Sequence, residues 1–212
     1  MSDSQAPSPF EYLSPAARGE AEMKEQGSRF LAFAGPAKSP EEALALLELL
    51  RRRYHDATHH CWAYRLGWGD ALRERASDAG EPSRTAGPPI LSALQERQVS
   101  DACLVVVRYF GGVKLGTGGL ARAYRGAARA ALDASALVRR TLASEWEVTL
   151  PYPAQGALRR GCEKNGVEWL EEAYEECLRV GLRVPLRSAD AFAADLSELR
   201  EAWKGEVRWK SR

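Results

Sequence analysis

Apolar and polar positions alternate in two distinct rhythms along this chain. Cys103 to Val107 is apolar on both faces, which predicts a strand covered on both sides. From Gly119 to Leu132 the residues are strong helix formers. Leu120, Ala123, Tyr124, Ala127, Ala131 and Leu132 form one stripe there, with Arg122, Arg125 and Arg129 on the opposite face. Ser39-Pro40-Glu41-Glu42 is a capping box with proline at the first helical position. It opens a helix through Leu44, Leu47 and Leu50 to Arg51, Arg52 and Arg53, cations that suit a helix C-terminus. Glu20 to Glu25 and Ser28 to Ala34 flank Gln26-Gly27 and predict a hairpin. Beyond Arg140 the order is strand 145–151, helix 153–164, strands 167–173 and 177–184, helix 189–201 and strand 206–210, a ferredoxin-like βαββαβ pattern. Residues 1–9 are polar and proline-containing and predict a loose tail.

Between the apolar strand and the basic helix lie Gly111, Gly112, Gly116, Gly118 and Gly119. Glycines let backbone N–H groups turn toward a ligand, and a helix N-terminus favours negative charge. Lys114 and Arg122 add formal charge, so this order builds an anion site. The plain alternative is a tight structural connection against the sheet. Two phosphate motifs are absent. A Walker A loop needs Lys beside Ser or Thr after its last glycine, whereas Lys114 precedes Leu115 and Gly116. Gly116 to Ala121 spells G-x-G-x-x-A, yet the strand ends too early and no acidic residue closes a second strand.

Charge sharpens the picture. The 212-residue chain carries a net charge of only +1, but between Arg108 and Arg140 the sole acid is Asp133 among seven basic residues. Solvated helices usually interleave both signs, so the one-sided face points to a phosphate, nucleic-acid or acidic-protein partner. No apolar run spans a membrane and no charged-then-apolar leader opens the chain, which predicts a cytoplasmic protein. Cys61, Cys103, Cys162 and Cys177 lack C-x-x-C spacing and read as reduced thiols. His55, His59, His60 and Cys61 invite a zinc reading, but neighbours on a strand point to opposite faces, so no metal is expected. Glu168, Glu171, Glu172, Glu175 and Glu176 form an acidic hairpin that guards a strand edge.

Ser77 to Pro89 is a rigid polar loop. Asp78, Glu81, Ser83, Arg84 and Thr85 there would border the glycine-rich site, with the two acids bonding loop N–H groups or pairing with Arg84. No nucleophile is evident beside them, so no catalytic residue and no cofactor is assigned.

THHCWAYRLG at 58–67, SDAGEPSRTAGPPIL at 77–91 and VVVRYFGGVKLGTGGLARAY at 105–124 together resemble the IMPACT family, in the manner of its bacterial YigZ-like members. The resemblance runs from about residue 20 to the end, weakly after Arg140. It implies an α+β protein of two domains. Residues 1–140 would have the fold of domain 2 of ribosomal protein S5, and residues 141–212 a ferredoxin-like fold similar to the last domain of elongation factor G. Eukaryotic relatives resemble the chain only in the first domain and are regulators of translation; their additional protein-binding domain has no counterpart in the matched blocks, so that partner is not carried over. The family pattern has glycine where this chain has Arg84 and where it has Arg125. If the first position needs φ > 0, Arg would cost about 1 kcal/mol there.

The expectation is a non-enzymatic, translation-linked regulator that binds RNA, the ribosome or a translation-associated protein. Lys114, Arg122 and Arg125 would contact phosphates, Gly116, Thr117, Gly118 and Gly119 would present backbone donors, and Tyr109 or Phe110 would stack on a base. An enzyme acting on a phosphorylated small molecule in the same loop, and a purely protein-binding regulator, are the alternatives.

Overall fold

The computed structural model describes residues 9–211, so most of the expected tail over 1–9 falls outside the described residues. The chain separates into two compact units: Tyr12–Arg140, and the residues from Thr141 onward together with those up to Glu11.

In the first of these, β2 (Gly19–Glu25), β3 (Ser28–Pro36), β4 (His59–Leu66), β5 (Arg73–Ser77) and β6 (Ala102–Tyr109) form one antiparallel sheet in the order β2-β3-β6-β4-β5. The central strand β6 is buried from Ala102 to Arg108, as its doubly apolar sequence predicts. One face packs α1 (Pro40–Arg53) through Leu46, Leu47 and Leu50 against Phe33, Trp62, Val105 and Val107. The Ser39 hydroxyl accepts from Glu42 N at 3.3 Å, the first half of a capping box. The other face packs α2 (Gly87–Glu96) and α3 (Gly116–Ala134) against Phe30, Ala32, Cys61, Leu104 and Val106. Small residues let α3 lie close: a Cβ on Gly19 would stand 2.3 Å from Ala131 O. Two short strands, β1 (Glu11–Pro15) and β7 (Leu137–Thr141), pair with each other, and Ala16 N donates to Ala136 O at 2.7 Å.

Structure and sequence pattern differ locally. Helix α3 begins at Gly116, three residues before the expected start, because glycine tolerates the φ of +68° that turns the chain into the helix. Helix α2 begins inside the stretch read as a loop, where Gly87-Pro88-Pro89 supplies its first turn.

The second unit follows the expected order closely. Strands β8 (Ala143–Leu150), β9 (Glu168–Tyr174), β10 (Leu178–Pro185) and β11 (Arg208–Ser211) form an antiparallel sheet ordered β11-β8-β10-β9. Helices α4 (Gln155–Asn165) and α5 (Ala189–Ala202) cover one face through Leu158, Phe192 and Leu196. The opposite face carries a charge ladder in which Arg183 pairs with Glu168 and Lys210 with Glu147, at 2.7 and 3.1 Å. The expected acidic hairpin thus has basic neighbours across the strands.

Candidate functional site

The apolar strand β6 ends in a charge. Arg108 stands in register between Phe30 of β3 and His59 of β4, on the face covered by α2 and α3, and is only 4% exposed. A buried guanidinium needs an acid. Glu81 supplies it: Arg108 Nη1 donates to Glu81 Oε1 at 2.6 Å, with the two side chains 5% and 3% exposed. The Tyr124 hydroxyl of α3 donates to the same oxygen at 2.7 Å. Arg108 Nη2 donates to the Ser28 hydroxyl at 3.1 Å, and that hydroxyl also accepts from Gly111 N at 3.2 Å. The guanidinium lies 5.4 Å from the centre of the Phe30 ring and 5.5 Å from that of Phe110.

The loop that delivers Glu81 is built around Asp78. Its carboxylate accepts from the N–H groups of Arg84, Ala86 and Gly87 at 2.8, 2.9 and 2.8 Å. Ala86, the residue before α2, has no side chain able to cap a helix, and Asp78 caps it from eight residues upstream. Burial pushes the Asp78 carboxyl up, but the three amide donors and nearby Arg84 outweigh it and hold the group below 3.8. The chain bends tightly to achieve this, with φ of +45°, +89° and +64° at Ala79, Gly80 and Arg84. Thr85 closes the turn by donating to Pro82 O at 2.6 Å, while Ser83 is exposed.

His59 Nδ1 bonds Ala79 O at 3.0 Å, leaving Nε2 at 3.9 Å from Glu81 Oε2. Cys61 Sγ donates to Asp78 O at 2.9 Å, and burial pushes its thiol up to about 12. A thiol so placed is a poor nucleophile. Burial also drives the Tyr124 phenol upward, helped by Cys61 and Glu81. Among the described residues no group of three His, Cys, Asp or Glu side chains could hold a metal ion.

The glycine-rich loop closes over this network. Gly111 is structural, since a Cβ there would stand 1.9 Å from the carbonyl carbon of Gly27 in the β2–β3 turn. Gly112 and Gly116, at φ of +88° and +68°, have nothing within 4 Å of a Cβ position and face open space. Beside them is a cleft of about 340 Å³ lined by Glu81, Pro82, Arg108, Phe110, Lys114, Leu115, Gly116, Thr117 and Leu120. Helix α3 starts there with no side chain capping it. A larger groove of about 410 Å³ lies between α4 and α5, but Lys164 and Asp195 in its wall pair with each other at 2.7 Å.

The residues singled out from sequence divide on this geometry. Lys114 and the exposed Phe110 reach the cleft with Gly116 and Thr117. Arg122 folds back along α3, its Nη1 3.6 Å from a Cβ position on Gly118, and Gly119 sits in the same first turn. Arg125 and Arg129 instead face Glu96 of α2, which Arg125 approaches at 3.9 Å and Arg129 hydrogen-bonds at 2.9 Å. The basic stripe is therefore partly neutralised by an acid from another helix. Tyr109 turns to the α1 side and donates to Asp56 at 2.8 Å. Asp78 bonds loop N–H groups as expected, whereas Glu81 pairs with Arg108 rather than Arg84. Arg108 itself carried a usable signal: a charge in phase with the inward positions of a buried strand demands a buried partner.

Residues 26–132 match the family model of the Impact N-terminal domain. An IMPACT family member of Haemophilus influenzae is 36% identical over 192 residues, covering 89% of this chain and 92% of that protein. The IMPACT family member YigZ of Escherichia coli is 31% identical over 188 residues, covering 88% and 92%. A crystal structure described as that of a hypothetical protein superposes with a TM-score of 0.70 at 29% identity, covering 96% of this chain and 98% of that one.

Proposed function

The chain belongs to the IMPACT family, and on that premise we propose that it is a translation-linked regulator whose first unit grips single-stranded RNA at the head of α3. The observation that carries this reading is the composition of the α3 N-terminus. Uncapped backbone donors from Gly116 onward meet Lys114 and Arg122, which form no ion pair among the described residues. Phe110, 48% exposed, stands beside them with Val113 at 51%. Helix-start N–H groups and two free cations suit phosphates, and an exposed ring suits an unstacked base. The pair Arg108–Glu81 is internally neutral, so the field at the cleft mouth is set by Lys114, Arg122 and the helix end.

The same geometry supports binding without chemistry. Cys61 is buried with its thiol pushed up, and Glu81 Oε1 is occupied by two donors. Translation as the setting follows from the family's eukaryotic members, which the first unit resembles.

Fluorescence anisotropy with a single-stranded RNA oligonucleotide at several salt concentrations tests the reading. Binding should weaken as salt rises, and Lys114→Ala with Arg122→Ala should flatten the log–log slope by about 1.4, ~0.7 per lost phosphate contact on a single strand. Sedimentation with ribosomes, reversed by salt, is the matching test in extracts. Salt-independent binding, or no binding at low salt, refutes it.

A further inference from the structure

We propose that the cleft at the head of α3 takes the base of one nucleotide, whether free in solution or unstacked from RNA, with its phosphate held at the helix start. This deepens the RNA reading above and rests on it for the second source only.

Size and walls come first. At about 340 Å³ the cleft falls at the small end of ligand pockets, roughly 300–1,000 Å³, which suits a single nucleotide. Pro82, Phe110, Leu115 and Leu120 give it apolar sides, and those match a flat ring rather than a bare sugar phosphate. Gly112 and Gly116 leave its mouth open.

The floor is polar and incompletely paired. Arg108 Nε is buried without a hydrogen-bond partner, although the other two nitrogens of that guanidinium are engaged. Glu81 Oε1 accepts two bonds, whereas Oε2 stands 3.9 Å from His59 Nε2, beyond hydrogen-bond length. Both side chains are more than nine-tenths buried. Arg108 and Glu81 both line this apolar slot, so it holds an N–H donor and a carboxylate acceptor, which complement the edge of a base that offers donors and acceptors in turn.

Charge fixes which way round the ligand sits. A phosphate at the floor would meet only the internally neutral Arg108–Glu81 pair, whereas at the mouth it meets Lys114 and the N-terminal amides of α3. The base therefore enters and the phosphate stays outside. Only one nucleotide fits, so a free nucleotide and a strand of RNA compete for the same cleft.

Isothermal titration of the full chain with the four nucleoside 5′-monophosphates, ribose 5-phosphate and inorganic phosphate tests this. At least one nucleotide should bind about tenfold tighter than ribose 5-phosphate, the worth of roughly one base–aromatic stack. Phe110→Ala should weaken it by about the same factor, and Thr117→Trp, which fills the mouth from an exposed position, should abolish it. Thr117→Trp should leave the circular-dichroism melting curve unchanged, and Phe110→Ala should lower the midpoint only by the small loss of its contact with Arg108 while both variants stay folded. The bound nucleotide should also displace a single-stranded RNA oligonucleotide in anisotropy. RNA binding with no nucleotide binding overturns the base pocket and leaves the RNA reading standing. Nucleotide binding without RNA binding does the reverse, and equal affinity for ribose 5-phosphate overturns the pocket outright.

Discussion

Replacing Arg108 with methionine isolates the buried pair on which the site rests. The substitution keeps apolar length between Phe30 and Phe110 but leaves the Glu81 carboxylate, 3% exposed, with Tyr124 as its remaining hydrogen-bond donor. Breaking a buried ion pair by removing one partner costs about 3–5 kcal/mol, and the surviving 2.7 Å bond from Tyr124 sets the expectation at the lower end, ~3 kcal/mol. Adding Glu81→Gln removes the uncompensated charge while keeping an acceptor for Tyr124, so the double variant should recover about 2 kcal/mol of that loss. Hydrogen exchange at the amides of Leu104 to Val107 is the suitable assay, because these central-strand groups report the opening of the first unit alone. The single variant should speed their exchange roughly a hundredfold, and the double variant by far less. A single-variant loss under about 1 kcal/mol, or a double variant no more stable than the single one, would refute the view that Arg108 and Glu81 depend on each other.

Three further outcomes follow from the same geometry. Arg84 holds φ of +64°, so Arg84→Gly should stabilise the first unit by about 0.5–1 kcal/mol, read as slower exchange of the loop amides. Asp78 is held below its usual 3.8, so its contribution is complete above about pH 4 and fades as pH falls through the lower folded value. Asp78→Ala should cost about 2 kcal/mol at neutral pH and remove that part of the acid sensitivity, seen by comparing acid titrations of the two proteins. Burial pushes Cys61, Cys103 and Cys162 up to about 12, whereas Cys177 is partly exposed. A thiol reagent at mild alkaline pH should therefore label Cys177 first and the other three only on unfolding, as peptide mapping would show.

Much of the architecture was legible because local chemistry and tertiary fold agree. The Ser39 capping box, the Gln26-Gly27 turn, the doubly apolar Cys103–Val107 run and the βαββαβ rhythm after Arg140 each form what their pattern predicts. Helix α2 was hidden because its cap, Asp78, lies eight residues before Ala86, beyond the reach of any capping box. The site was half legible. Glycines and cations in one run marked the candidate site, but which arginines pair with Glu96 depends on tertiary packing that brings α2 to α3. Glu81 looked like a surface acid beside Arg84, and only the register of β6 with β3 and β4 shows why it must reach Arg108.

The pairing of β1 with β7 joins Glu11–Pro15 to Leu137–Thr141, so the two ends of the first unit meet as neighbours although nearly all of that unit separates them in sequence. During synthesis β1 leaves the ribosome long before its partner exists. At about 5–20 residues per second it waits on the order of ten seconds, with an unpaired edge, for the strand that closes it. Closure also marks the completion of the glycine-rich loop and α3, which precede β7 in the chain. The ribbon thus acts as a late clasp: by the time it fastens, every residue of the candidate site has been made.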